Sequence, residues 1–236
     1  MKLLVRLFRS SLGKKYIMAL SGAGLVLFAV GHMLGNLQVF LGPEPLNAYG
    51  HFLQSTPEIL WGARLGLLGL VGLHIWAAVK LTLENRAARP VPYDQGELVA
   101  ASYASRTMIW SGLIIAAFVV FHLLHYTVQV KAVNLTGQDF GLFEDTHVPP
   151  RHDIFKMMIT GFRQPLVSGF YVLAVGLLCA HLSHGISAMF QSLGFKDKTW
   201  GPAIDKLAVL AAWVLFLGYS SIPVAILLGY GKEALR

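Results

Sequence analysis

The chain has 236 residues, of which 55% are hydrophobic and only 13% charged. A soluble domain of this length needs more charge than that to cover its surface, so the composition excludes water as the main solvent and points to lipid. The net charge of +7 does not mark a nucleic-acid binder, because the basic residues flank apolar segments instead of forming a patch. A single cysteine, Cys179, excludes an internal disulfide and any paired-thiolate metal motif.

Residues 1–13 place Leu3, Leu4, Leu7, Phe8 and Leu12 at helical spacing, with Lys2, Arg6 and Arg9 opposite. This pattern predicts a short amphipathic helix lying on an anionic leaflet. The basic start followed by an apolar run resembles a signal peptide, but the run from Ile17 to Leu34 is too long for one and lacks a clear A-x-A cleavage site. It reads as a retained first span.

Five apolar segments follow, each long enough for a hydrocarbon core about 30 Å thick. They cover roughly residues 16–41, 59–83, 107–130, 166–191 and 204–228, and all twelve acids fall in loops or at span edges. The expected fold is all-α: one integral membrane bundle of five transmembrane helices behind a short interfacial helix. The first, third and fifth connections, counting the N-terminus as the first, collect twelve of the nineteen Lys and Arg, including Lys14, Lys15, Arg86, Arg89 and Lys196. The positive-inside rule therefore puts the N-terminus in the cytoplasm, and five spans put the C-terminus outside. The two outer connections, residues 42–58 and 131–163, are long, which suggests loops with a function or a lid.

The first four spans carry histidine: His32, His74, His122 with His125, and His181 with His184. An imidazole in hydrocarbon is costly unless it bonds something. At 1.5 Å per residue, His32 lies roughly 26 Å beyond Lys15 and His122 roughly 24 Å beyond Arg106. His74 and His181 each lie roughly 15 Å from the cytoplasmic ends of their spans, near Glu84 and Gln191. The result is two depth-matched pairs, His32 with His122 and His74 with His181. One axial imidazole on each side of a flat macrocycle is what a b-type haem takes. Zinc would need about three or four converging ligands, with thiolates or carboxylates among them, and a proton relay would need buried acids; the spans offer neither. Glycines 22, 24, 31 and 35, 66, 69 and 72, and 176 and 185 let helices approach and leave room for a macrocycle. His125 and His184, each three residues beyond a ligand candidate, read as polar partners, quinone contacts or alternative ligands. His51, His147 and His152 fall in the outer connections and read as solvated.

With these residues in place the chain resembles the dihaem cytochrome b membrane-anchor subunit of succinate:quinone oxidoreductases, the group that covers bacterial succinate dehydrogenases and fumarate reductases. The resemblance runs over nearly the whole length: five spans, with ligand histidines on the first four. Its most specific local match is HLSHG over residues 181–185 followed by Gly194, which favours His181 over His184. FHLLHYT over residues 121–127 is similar to the family's third-span ligand segment and favours His122 over His125. HIWAAVK from His74 and the Gly31-His32-Met33 segment are similar to the remaining two. The family pairs its first span with its third and its second with its fourth.

The resemblance implies two b-type haems, with His32, His74, His122 and His181 as the axial ligands of the iron. It implies a flavoprotein subunit and an iron–sulfur subunit docked on the cytoplasmic face of a bacterial inner membrane. It implies a membrane quinone, menaquinone, as electron partner, with the dicarboxylate chemistry on another subunit. For the quinone, position alone offers Gln38, Gln54, Glu58, Arg163 and Gln164 at the outer span ends. Arg64, just inside the second span, reads as a haem-propionate partner or as a snorkelling anchor. Two alternatives stay open: a dihaem cytochrome b that anchors another redox enzyme, such as a hydrogenase or formate dehydrogenase, and a transporter whose histidines bind no haem.

Overall fold

An apolar run longer than the hydrocarbon core has one local way to satisfy its backbone in lipid, the α-helix, and this chain takes it repeatedly. The structure is a computed structural model that describes residues 2–88 and 106–235; the connection carrying Arg89, and the terminal Met1 and Arg236, lie outside the described residues. Eight α-helices run in the order α1 (Lys2–Arg9), α2 (Ser11–Leu37), α3 (Pro43–Ser55), α4 (Pro57–Ala87), α5 (Met108–His122), α6 (Ile154–Phe162), α7 (Pro165–Ser192) and α8 (Gly201–Leu227) among the described residues. A π-helical turn, Leu123–Thr127, prolongs α5. Among the described residues the only β pairing is an isolated bridge between Glu144 and His152.

Five stretches are long and apolar enough to span: Ser11–Leu41, Pro57–Ala87, Met108–Thr127, Pro165–Ser192 and Gly201–Leu227. Each turns large apolar side chains outward, among them Leu27, Leu68, Trp110, Leu173 and Leu217. Water would penalise such a surface, and lipid does not. Helix α1 ends at Arg9, four residues before the predicted end. Ser10 separates it from α2, and the Ser10 Oγ accepts from the Gly13 N–H at 3.0 Å.

Helix ends follow their local chemistry. Pro43, Pro57 and Pro165 stand at the first positions of α3, α4 and α7, where a missing N–H costs nothing. Asp153 caps α6 by accepting from the Lys156 N–H at 2.9 Å. Gly194 (φ +83°) ends α7, and Phe195 N–H returns to the Phe190 carbonyl at 2.9 Å, the six-to-one bond of a Schellman turn. Pro223 sits inside α8, where it removes one ladder donor.

The connections over residues 42–58 and 131–163 are more helical than expected of loops. Residues 42–58 are helix α3 for most of their length, and residues 131–163 contain α6, in which Phe155 and every residue from Met157 to Phe162 are buried. Both contribute to the core of one unit, Leu46 from α3 and Phe155, Met158, Ile159 and Phe162 from α6. The reason is compositional: LNAYGHFL and IFKMMITGF carry enough apolar residues at helical spacing to bury a face, even though each is too short to span.

The chain divides into two compact units. The first comprises Met1–Ala29, Gly62–Ile109 and Ala180–Ala212. Here Lys14, almost fully buried, donates to Glu84 at 2.5 Å and to the Arg9 carbonyl at 3.0 Å. Gly24 lies against Leu70, Phe8 meets Trp76 at 5.3 Å between ring centroids, and Lys196 and Ser187 converge on Asp205 at 2.7 and 2.5 Å.

The second unit comprises Val30–Trp61, Trp110–Cys179 and Trp213–Arg236. Its core gathers Val39, Leu46, Phe118, Phe155, Ile159, Phe162, Val167, Tyr171, Ile222 and Ile226. Gly50 lets α3 reach α6, since a Cβ there would lie 1.9 Å from Ile154 Cδ1. Buried Asn47 joins the same helices: its amide donates to Asp153 Oδ1 at 3.0 Å and its carbonyl accepts from Phe155 N–H at 2.9 Å. Arg151 bridges Asp145, at 2.5 Å, and Glu44, with His147 between the two carboxylates.

Candidate functional site

In the second unit, α2 supplies His32 and the last residue of α5 is His122. Their ring centroids are 5.8 Å apart with planes at 79°. Both residues are largely but not fully covered by protein. Phe118, one turn earlier on α5, stacks on His122 at 6.0 Å, and Tyr171 of α7 meets it edge-on at 5.9 Å. The Tyr171 hydroxyl lies 3.2 Å from His122 Nδ1 and 3.0 Å from His125 Nδ1.

His125 owes its place to the π-turn. Val128 N–H bonds to the Leu123 carbonyl at 2.7 Å, an i→i+5 closure that inserts one extra residue into the turn. The imidazole is fully buried and lies 4.0 Å from the Tyr126 ring, beside Phe121 and Phe140. Its Nε2 has no hydrogen-bond partner. His125 thus faces a tyrosine and an aromatic wall, while the ring opposite His32 is that of His122.

In the first unit, His74 of α4 and His181 of α7 lie 6.5 Å apart between centroids, with planes at 60°. His74 Nδ1 is 3.2 Å from the Met18 carbonyl and 3.3 Å from Ser21 Oγ. A carbonyl only accepts, and the Ser21 hydroxyl already donates to the Ile17 carbonyl at 2.6 Å. Nδ1 must therefore carry the proton, which leaves Nε2 with its lone pair free for a metal. Gly22 makes room for this ring, because a Cβ there would sit 3.3 Å from His74 Cε1. His184 stands half-buried within the electrostatic reach of Lys196 and Asp205.

These pairings match the depth arithmetic. They also have the dimension of a metal held between two imidazoles. A metal–imidazole bond of about 2 Å on each side puts the ring centroids roughly 6 Å apart, and the two observed separations bracket that value. Among the described residues no three or more His, Cys, Asp or Glu are placed to hold a metal ion together. The donor sets are pairs, which suits axial ligation of a haem. The glycines divide by role. Gly22, Gly24, Gly35 and Gly176 touch side chains of neighbouring helices, whereas a Cβ on Gly31, Gly66, Gly69, Gly72 or Gly185 would meet nothing within 4 Å. The open positions flank His32, His74 and His181 in sequence and leave space beside the helices that carry them.

The quinone candidates are dispersed. Gln38 is half-buried in the 3-10 turn after α2, Gln54 is exposed near the end of α3, and Glu58 is exposed in the first turn of α4. Arg163 is exposed at the end of α6, and Gln164 is half-buried between α6 and α7. Among the described residues no hydrogen bond or ion pair joins any two of the five. Arg64 lies on an exposed face of α4.

Three features escape the sequence. Ser21 and the Met18 carbonyl orient His74, but a serine near a chain end carries no signal of that role. Tyr171 bridges two histidines; the only hint is a phenol inside an apolar span, which must find a partner. His152 is not simply solvated. It is half-buried, with Gln129 Nε2 at 3.0 Å from its Nε2. Burial pushes its imidazole below the ordinary value of 6.5. The chain was compared with protein-family models, with curated proteins and with solved structures, and none of the three comparisons returned a match.

Proposed function

We propose that the chain is a dihaem cytochrome b that anchors a succinate:quinone oxidoreductase in a bacterial cytoplasmic membrane. The observation that carries this reading is the pair of facing imidazole couples, each one metal ion wide and each built from two helices. The resemblance of the segments around His32, His74, His122 and His181 to the family's ligand segments supplies the partner assignment. His32 with His122, and His74 with His181, would each hold one b-type haem, and the haems would supply one-electron transfer between an iron–sulfur partner and a membrane quinone, menaquinone.

The chain's own residues do the rest. His74 is held in the tautomer that presents Nε2, through Met18 and Ser21. His122 is held by the Tyr171 hydroxyl. The outward apolar faces seat the spans in lipid. The flavoprotein and iron–sulfur subunits dock on the cytoplasmic face, which the charge bias assigns to the N-terminal side. Dicarboxylate chemistry belongs to the flavoprotein.

Reduced-minus-oxidised spectra and haem stoichiometry of the purified complex test the proposal. The expected result is two b-type haems per chain. His74→Ala and His181→Ala should each remove the same one, and His32→Ala and His122→Ala the other, while His184→Ala should retain both. A preparation without a b-type alpha band overturns the haem assignment. A co-purifying molybdenum or nickel subunit in place of one with a covalent flavin overturns the partner assignment and leaves the haems standing.

A further inference from the structure

We propose that Tyr171 is a positioning residue whose hydroxyl, backed by His125, decides which nitrogen of His122 is left to bind metal and how strongly it donates. The inference rests on the haem reading above and concerns the His32/His122 couple alone.

A phenol hydroxyl has one hydrogen to give and lone pairs to accept with. Tyr171 OH lies within hydrogen-bond distance of two Nδ1 atoms, on His122 at 3.2 Å and on His125 at 3.0 Å. If it accepts from both, its own buried O–H is left without an acceptor; with that hydrogen used, it donates to one and accepts from the other. If His122 Nδ1–H donates to the phenol oxygen, the phenol O–H donates to His125 Nδ1, and His122 keeps the lone pair on Nε2. If the order is reversed, His122 carries its proton on Nε2 and cannot ligate through that atom. With the phenol hydrogen also bonded, metal ligation by His122 Nε2 makes His125 the final acceptor of the relay. This gives a task to an imidazole that is fully buried in an apolar wall and whose other nitrogen has no partner. A buried polar group so placed calls for an explanation.

The hydroxyl has no freedom to turn toward solvent. Tyr171 is almost fully buried, and its ring is wedged edge-on between Phe118 at 5.1 Å and Phe162 at 5.0 Å, with Phe121 at 5.9 Å. The π-turn is what brings His125 within reach of it. The other couple uses a different device, a backbone carbonyl on His74. A carbonyl is a fixed acceptor that no side-chain change removes. The phenol is an acceptor polarised by the histidine behind it, so substitution at Tyr171 or His125 changes what His122 Nδ1 meets.

An acceptor on the distal N–H raises the basicity of a ligating imidazole. Removing it weakens donation to oxidised iron more than to reduced iron, so the midpoint potential rises. A tenfold change in the ratio of the two affinities is about 59 mV for one electron. The test is an optical redox titration of the purified complex in wild type, Tyr171→Phe and His125→Phe, with the two haems assigned by the His122→Ala and His74→Ala variants.

The expected result is that Tyr171→Phe retains two haems and raises the potential of the His122 haem by about 59 mV per tenfold change, with the His74 haem unmoved. His125→Phe should shift the same haem in the same direction by less. Unchanged potentials in either folded variant overturn the inference while the haem reading stands. Loss of a haem in His125→Phe also overturns it, by making His125 the ligand. Absence of haem from wild type overturns the haem reading itself.

Discussion

Replacing Asn47 by alanine should release α6 from α3 and leave most of the remaining structure in place. The side chain is almost fully buried and makes two long-range bonds at the start of α6. Its carbonyl accepts the Phe155 N–H, one of the first-turn donors that a helix cannot satisfy internally. Its amide donates to Asp153 Oδ1, the oxygen that also caps Lys156 N–H. Alanine leaves the Phe155 N–H buried without a partner, which costs about 1–3 kcal/mol, and removes a charge-assisted bond worth about 1.5–3 kcal/mol. Asp153 is only half-buried and recovers part of its loss from water, so about 2–4 kcal/mol remains. That corresponds to roughly a 30-fold to several-hundred-fold larger local opening constant. Hydrogen exchange read by mass spectrometry on peptides covering Ile154–Phe162 is the assay. Asn47→Asp adds a check: it keeps an acceptor for Phe155 but sets two carboxylates against each other, so its deficit should shrink on acidification as one is protonated and donates. Wild-type exchange rates across α6 in Asn47→Ala would falsify the argument.

Gly161→Ala should cost about 1–3 kcal/mol by overpacking, because the new Cβ would lie 2.4 Å from the Tyr126 hydroxyl and that ring is wedged among His125, Phe140 and Phe162; thermal unfolding in detergent measures it, and an unshifted Tm refutes it. Gly22→Val should crowd the His74 ring, to which even an alanine Cβ would come within 3.3 Å. The haem lost in His74→Ala should then fall in occupancy while the other is retained, and equal loss of both refutes this. His152 has its imidazole lowered from 6.5, chiefly by burial. The folded state thus favours the neutral ring, which can accept from Gln129, and that contribution is complete above about pH 6.5 and lost as the pH falls through and below it. Thermal stability between pH 7.5 and 5.5 should therefore decline more steeply in wild type than in His152→Gln, and parallel declines would remove His152 as the cause.

The sequence by itself determined that the chain is all-α, with five stretches long and apolar enough to cross a membrane, because span length and apolar content are local properties and the helix is the only local way to close a backbone in lipid. It also determined how far along its own helix each histidine sits, since the rise per residue is constant along a helix whatever surrounds it. Depth is one coordinate, however, and azimuth is another. Which side of His122 faces His32 and which faces Tyr171 depends on how helices distant in sequence pack, and no periodicity in FHLLHYT announces a π-turn. The same holds for Met18 and Ser21 on His74, and for α3 and α6, whose apolar faces are too short to stand out until each covers the other. Only the tertiary structure decided these, because hydrogen bonds to a ring nitrogen are made at fixed distance and angle between chain segments whose separation in sequence carries no record of the contact.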